Sequence, residues 1–323
     1  MAVDHETGGD MPIQYGSLEK PYELFQKGKR EGTWDPDDYD LAQDREDWTE
    51  FTDEQQQRFL ATTSGFYDGE EDVTRTLAPY MMALEAIDPD DAPFDVVQQQ
   101  MYLAQQVYEE AKHTDFFARY YEEVFGTQDT APYREGGYQE SGYSTDDLYE
   151  TADELSAAAA AGDQRALRFA LGEAYLNYMG IVEAQLARGG YLSFDQMAES
   201  KAAELGRDAV LPGFQAGVGK VRQDETRHIE NSRWVLAKLA DHDRAIVPEV
   251  YEPRIAEYVE NRILPGPMYP DNPFEGYDQK AIGKRVVQYL QDTIDYVGAE
   301  RFDRFGDVRA AIGEMREQAA ADD

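Results

Sequence analysis

The chain has 323 residues, enough for one large core or two smaller ones, and 41% of them are hydrophobic and 12% aromatic. Its 66 acidic against 30 basic residues leave a formal charge of −36, which argues against nucleic-acid or anionic-membrane binding, while the apolar content excludes charge-driven disorder. Cysteine is absent, so disulfides, thiolate ligands and iron–sulfur clusters are excluded, and no run approaches the ~20 apolar residues of a membrane helix. Acidity on this scale predicts a protein kept hydrated in concentrated salt, hence a halophilic cytoplasm; Met1 to Asp10 lacks the basic and apolar regions of a signal peptide.

Residues 1–49 are punctuated by Gly8-Gly9, Pro12, Pro21 and Trp34-Asp35-Pro36, and predict an extended N-terminal arm anchored by Trp34 and Trp48. Residues 50–300 predict an all-α domain, followed by a charged tail over 301–323. Thr52-Asp53-Glu54-Gln55 starts a helix that runs to about residue 87, kinked at Pro79. A second helix spans about 94–125 and stops at Gly126. A loop over 127–143 leads to a helix over 146–161. The next, over 164–188, is strongly apolar and closed by Gly189-Gly190; it carries Glu173 and Glu183, and a buried carboxylate there needs a partner. Further helices are expected over 193–205, 212–239, 250–264 and 279–297.

Two stretches carry chemistry: Glu110-Ala111-Lys112-His113 and Glu225-Thr226-Arg227-His228. In each, carboxylate and imidazole are three residues apart and leave one face of a helix. The chain has only four histidines, His5, His113, His228 and His242, and two of them follow a glutamate at this spacing. One such motif alone equally suits a surface pair. Two, with lone glutamates on the helices before and between them, match the ligand set of ferritin-like di-metal carboxylate proteins. Carboxylates and imidazoles suit manganese and iron. Asp224, next to Glu225, is placed to accept the free ring N–H of a ligating histidine.

Further stretches extend the pattern: Lys27-Gly28-Lys29-Arg30, Thr33-Trp34-Asp35-Pro36, Gly69-Glu70-Glu71-Asp72-Val73-Thr74 and Tyr178-Met179-Gly180-Ile181-Val182-Glu183. With these, residues 15–300 resemble the small subunit of class I ribonucleotide reductase. Within that group the chain is most similar to the small-subunit-like ligand-binding oxidases. The resemblance implies a ferritin-like four-helix bundle with additional helices. It implies Glu70, Glu110 and His113 on a first metal, manganese, and Glu183, Glu225 and His228 on a second, iron, with Glu110 bridging; a di-iron centre is the variant. Dioxygen would be the oxidant. Trp34 and Asp224 are expected beside the ligands.

The same resemblance implies that Val73 and Tyr178 form an ether crosslink. On an ideal helix Tyr178 lies about 140° round from Glu183, and so is expected to flank that ligand and lean toward the neighbouring helix. A long-chain fatty acid is the implied ligand, with Phe66, Phe117, Tyr175 and Met179 on its pocket, and a homodimer is the implied assembly. The alternative is a radical-generating reductase subunit. Three departures oppose it: Glu70 stands where reductases carry aspartate, Phe117 where they carry the radical tyrosine, and no tyrosine follows Tyr296. A metal-storage cage and an acyl desaturase fit the motifs less well.

Overall fold

Two helices occupy the stretch expected to be extended. The computed structural model describes residues 18–134, 146–266 and 272–322, so the first part of the predicted arm and His5 lie outside the described residues. Helix α1 (Lys20–Glu31) starts with Pro21 in its first turn, where the missing N–H has no intrahelical partner to lose. It buries Leu24 and Gly28. Helix α2 (Ala42–Trp48) follows a short 3-10 turn at Pro36–Asp38. The two tryptophans do anchor this segment: Trp34 is 8% and Trp48 7% exposed. Proline marked an interruption in the sequence, but here it sits where a helix tolerates it.

Helix α3 (Asp53–Thr76) opens on a capping box in which Thr52 and Gln55 each satisfy the other's backbone N–H. Leu77 separates it from α4 (Ala78–Ala86), with Pro79 in the first turn of α4. Helix α5 (Val96–Tyr120) continues as a π turn, Tyr121–Phe125, and ends on Gly126 at φ 73°. The short α6 (Ala131–Arg134) leads out of the described region, and the rest of the loop expected over 127–143 lies beyond it. Helix α7 (Asp146–Ala161) falls where expected.

The Gly189-Gly190 stop is corrected. Helix α8 (Gln164–Tyr175) passes into a π-helical stretch, Leu176–Ala187, and on without a break into α9 (Arg188–Leu205). The glycines serve close packing. A Cβ on Gly190 would lie 2.4 Å from Phe66 Cε2, and one on Gly189 would lie 3.0 Å from Val286 Cγ2. Helix α10 (Pro212–His242) follows. Helix α11 (Glu252–Tyr258) is flanked by π turns at Val247–Tyr251 and Val259–Ile263. Helices α12 (Gln279–Val297) and α13 (Val308–Asp322) complete the chain. Helix α13 is more than a charged tail, since it buries Val308, Ala311, Ile312 and Met315.

Four long helices close a ring. Helix α3 packs on α5, α5 on α10, α10 on the π stretch, and α9 back on α3. An aromatic cluster that includes Phe59, Phe116, Phe117, Phe194 and Phe214 fills one part of the bundle. A largely aliphatic cluster around Leu171, Ile181, Leu236 and Tyr258 fills the other. No strand occurs among the described residues, and none of their helices is long and apolar enough to cross a membrane. The architecture is an all-α, ferritin-like bundle with additional helices.

Candidate metal centre

Each helix of the ring sends acids inward. Helix α3 supplies Glu70, α5 supplies Glu110 and His113, the π stretch supplies Glu183, and α10 supplies Glu225 and His228. All six are buried, the most exposed being Glu70 at 7%. They form two overlapping groups whose donor atoms lie within 4.8 Å of one another: Glu70, Glu110, His113 and Glu225, and Glu110, Glu183, Glu225 and His228. Nδ1 of His113 stands 3.2 Å from Glu110, 3.3 Å from Glu225 and 3.4 Å from Glu70. Nδ1 of His228 stands 2.9 Å from Glu110, 3.4 Å from Glu225 and 3.5 Å from Glu183. Glu225 therefore faces both imidazoles, as Glu110 does, and both are candidates to bridge.

The donors fit two metal ions. Ligands bonded to one ion at about 2.0–2.2 Å sit roughly 3 Å apart when adjacent, which is the spacing found. Both oxygens of Glu183, one of Glu225 and Nδ1 of His228 are buried without a hydrogen-bond partner of good geometry. Four carboxylates with two neutral imidazoles also balance two divalent cations in charge. Without ions, the buried acids restrain one another. Burial and the neighbouring charges of Glu110 and Glu225 push Glu70 up to about 8, against the pull of His113. Burial would lower both imidazoles, but the carboxylates facing His113, and Tyr102 with the carboxylates facing His228, raise both well above the usual histidine range.

A second layer holds the imidazoles, and it is crossed. His113 on α5 meets Asp224 of α10 through Nε2, at 3.3 Å. His228 on α10 meets Glu109 of α5 through Nε2, at 2.9 Å. With both Nε2 atoms held by acids, each Nδ1 is turned toward the cluster. Asp224 also accepts from Trp34 Nε1 at 2.7 Å and from Lys112 at 3.3 Å. Arg227, wholly buried, donates to both Glu109 and Asp224. Burial raises Glu109 and Asp224, but their cationic neighbours outweigh this and hold both below the usual carboxylate range. The sequence reading found Asp224 and Trp34 but missed Glu109, Lys112 and Arg227. The signal was present: both motifs run acid, Glu, any residue, base, His.

Val73 and Tyr178 are both buried on the wall of one cavity, with Glu70, Glu110, Glu183 and Glu225. Tyr178 donates its hydroxyl to Glu110 Oε1 at 2.7 Å. The expected 140° offset from Glu183 is corrected. Helix 176–187 is π-helical, bonded i→i+5, so residues five apart lie on nearly the same face. Glu173, the other acid of that run, lies outside the cluster and pairs with Arg254 at 2.9 Å.

The cavity measures about 770 Å³. Of the four expected pocket residues, Phe66 lines it. Phe117, Tyr175 and Met179 do not, because their helix faces pack into the core. Phe117 stacks on Phe66 with ring centroids 5.8 Å apart, and Tyr175 accepts a hydrogen bond from Gln99 at 2.7 Å.

No family model matches the chain. Among solved structures, an R2-like ligand-binding oxidase with an aerobically reconstituted Mn/Fe cofactor is 23% identical at a TM-score of 0.66, over 94% of this chain and 100% of that one. A point mutant of such an oxidase with a non-activated Mn/Mn cofactor is 22% identical at a TM-score of 0.65, over 91% and 98%. Another, with an anaerobically reconstituted Mn/Fe cofactor, is 23% identical at a TM-score of 0.63, over 86% and 93%. At these identities the likeness establishes the fold.

Proposed function

We propose that this chain is a dioxygen-using oxidase that holds one manganese and one iron ion and takes a long-chain fatty acid as its ligand. The observation that carries this reading is the pair of overlapping donor groups, six buried side chains from four helices that share Glu110 and Glu225. Glu70, Glu110 and His113 would hold the first ion, and Glu183, Glu225 and His228 the second. When bound, such a pair supplies two electrons to dioxygen and Lewis acidity at the cavity's inner end.

The residues do the rest. Asp224 and Glu109 fix the imidazoles. The cavity reaches the four glutamates, and Val73, Leu148, Tyr178, Val182 and Leu186 are among its lining, so a ligand carboxylate on an apolar stem would have a path to the ions. Glu110 Oε1 is the acceptor at hand for the phenol proton of Tyr178. In the metal-free chain, burial and the surrounding glutamates raise that phenol well above the usual tyrosine range.

We assign Val73 and Tyr178 to an ether crosslink. Its formation breaks the Val73 Cβ–H and the Tyr178 O–H, closes a Cβ–O bond, and passes two electrons and two protons to dioxygen. The alternative, a radical-generating reductase subunit, lacks a phenol at Phe117, which is fully buried among Phe66, Phe116 and Phe214. The homodimer follows from the resemblance, and light scattering tests it.

The deciding experiment is reconstitution with manganese and iron under air, followed by metal analysis and intact mass. The product should hold both ions and weigh about 2 Da less than the metal-free chain, the mass of the two hydrogens lost. Tyr178→Phe should keep the metals and lose the mass change. Metal content below one ion per chain, or unchanged in both His113→Ala and His228→Ala, would refute the metal assignment. A full complement of metal with no linked peptide would refute the crosslink alone.

A further inference from the structure

The cavity inverts the charge of the molecule. Among the described residues, four acids line it, the glutamates of the cluster, and six cations do: Arg58, Arg262, Lys280, Lys284, Arg309 and Arg316. In a chain with 66 acidic and 30 basic residues, a wall with no other carboxylate among the described residues is a marked local excess of positive charge. Arg58 stands well apart from the glutamates. Along α3 the cavity wall runs Arg58, Thr62, Phe66, Glu70 and Val73, one continuous helical stripe. Arg58 and Glu70 are twelve residues apart on that helix, about 18 Å at 1.5 Å per residue. Between them the lining is apolar or small, with Ala61, Gly65, Phe66 and Gly69.

Arg58 is 7% exposed, next to Tyr277, while Lys280, Lys284, Arg309 and Arg316 are exposed on α12 and α13. Those four make no ion pair with a described acid, although acids outnumber bases twofold in the chain. Arg309 donates to the side-chain oxygen of Gln288 at 3.2 Å, but no described carboxylate neutralises any of the four.

We propose that the cavity's ligand is a long apolar chain with an anionic group at both ends, one at the metal-facing glutamates and one at this cationic mouth. The proposal rests on the oxidase reading above and adds the class of ligand. A plain fatty acid would leave the cationic end facing a methyl group. An anionic membrane surface is a poorer partner, because a buried arginine inside the cavity is out of its reach and the chain's charge of −36 repels it. The shared chemistry of the outer group is a terminal anion, carboxylate or phosphonate.

The test measures binding of hexadecanoic acid, hexadecanedioic acid and ω-phosphono-hexadecanoic acid to the full-length, metal-loaded protein by calorimetry. Both doubly anionic probes, or whichever of them matches the natural group, should bind at least about tenfold tighter than the monoacid at low salt. That preference should shrink at 1 M salt, where charges are screened beyond about 3 Å. In K280Q/K284Q/R309Q/R316Q the preference should vanish while monoacid affinity stays unchanged. Equal affinities in the unaltered protein would overturn the proposal and leave the fatty-acid reading intact. So would an equal loss for all three probes in the variant, which would make the cations a general attractor of anions. Co-sedimentation with phosphatidylglycerol vesicles that depends on the same four residues would also overturn it. Absence of binding by every probe would sink this proposal and the lipid-ligand reading together, without touching the metal assignment.

Discussion

Replacing Arg227 by Met tests the crossed support behind the imidazoles. The arginine is fully buried and joins Glu109, Asp224 and the carbonyl of Gln223. Methionine keeps the apolar stem and removes the charge. Asp224 would retain Lys112 at 3.3 Å, but Glu109 would keep only the imidazole of His228 and the neutral amide of Gln105, at 2.8 Å. Breaking a buried ion pair from one side costs about 3–5 kcal/mol, because the remaining charge stays desolvated. The expected loss in urea unfolding of the metal-free protein lies in that range. Metal affinity should fall about 10–100-fold, the usual effect of disturbing the partner of a ligating histidine. Glu109→Gln removes the stranded charge yet still accepts from Nε2, so R227M/E109Q should recover about 0.5–3 kcal/mol relative to the sum of the single changes. A loss below about 1 kcal/mol in R227M, or strict additivity in the double variant, would refute the reasoning.

Glu70 makes metal uptake pH-dependent: pushed up to about 8 in the folded, metal-free chain against 4.5 ordinarily, it holds a proton that metal must expel. Stability of the metal-free protein should therefore decline as pH rises from about 4.5 to about 8, and metal affinity should climb about tenfold per pH unit for each proton displaced, then level off; a flat affinity over that window contradicts this. Gly190→Ala should destabilise by about 1–3 kcal/mol, less up to about 1 kcal/mol of helix propensity, because its methyl meets a Phe66 ring pinned by Phe117, Tyr191 and Phe194. Adding Phe66→Leu should recover that loss in urea unfolding, and a G190A as stable as the parent would show that the ring moves freely. Melting temperature should rise with salt into the molar range, since repulsion at −36 is screened over about 10 Å at 0.1 M and about 3 Å at 1 M; calorimetry showing no salt response would detach the acidity from stability.

The long helices were legible because their apolar periodicity and their stops coincide. Gly126 and Gly206 sit at positive φ just past helix ends, as their positions suggested. The glutamates and histidines of the cluster were legible through spacing on two helices and resemblance on the other two. What escaped had the same composition but a different cause. Gly189-Gly190 signals a stop by propensity, yet tertiary packing against Phe66 and Val286 overrides it. Pro21 looked like a breaker and is a first-turn residue. Glu109 and Arg227 were indistinguishable from the many surface charges, because what distinguishes them is a partner 118 or more residues away. Phe117, Tyr175 and Met179 are apolar residues near the right helices, and periodicity does not tell a cavity wall from a filled core.

The π stretch gives one helix of the ring slack at the level of the cluster, where the other three are α-helical. Glu70, Glu110, His113, Glu225 and His228 all stand on α-helical backbone, and Glu183 alone stands on i→i+5 turns. A wide turn can hand its surplus residue to the next turn by re-pairing one carbonyl at a time, while α8 and α9 on either side stay seated. Glu183 is thus the donor that can change its reach with the least disturbance elsewhere. When the size or charge of the cluster's occupants changes, adjustment should concentrate on this one side chain and its neighbour Tyr178, with the opposite wall acting as the fixed jaw.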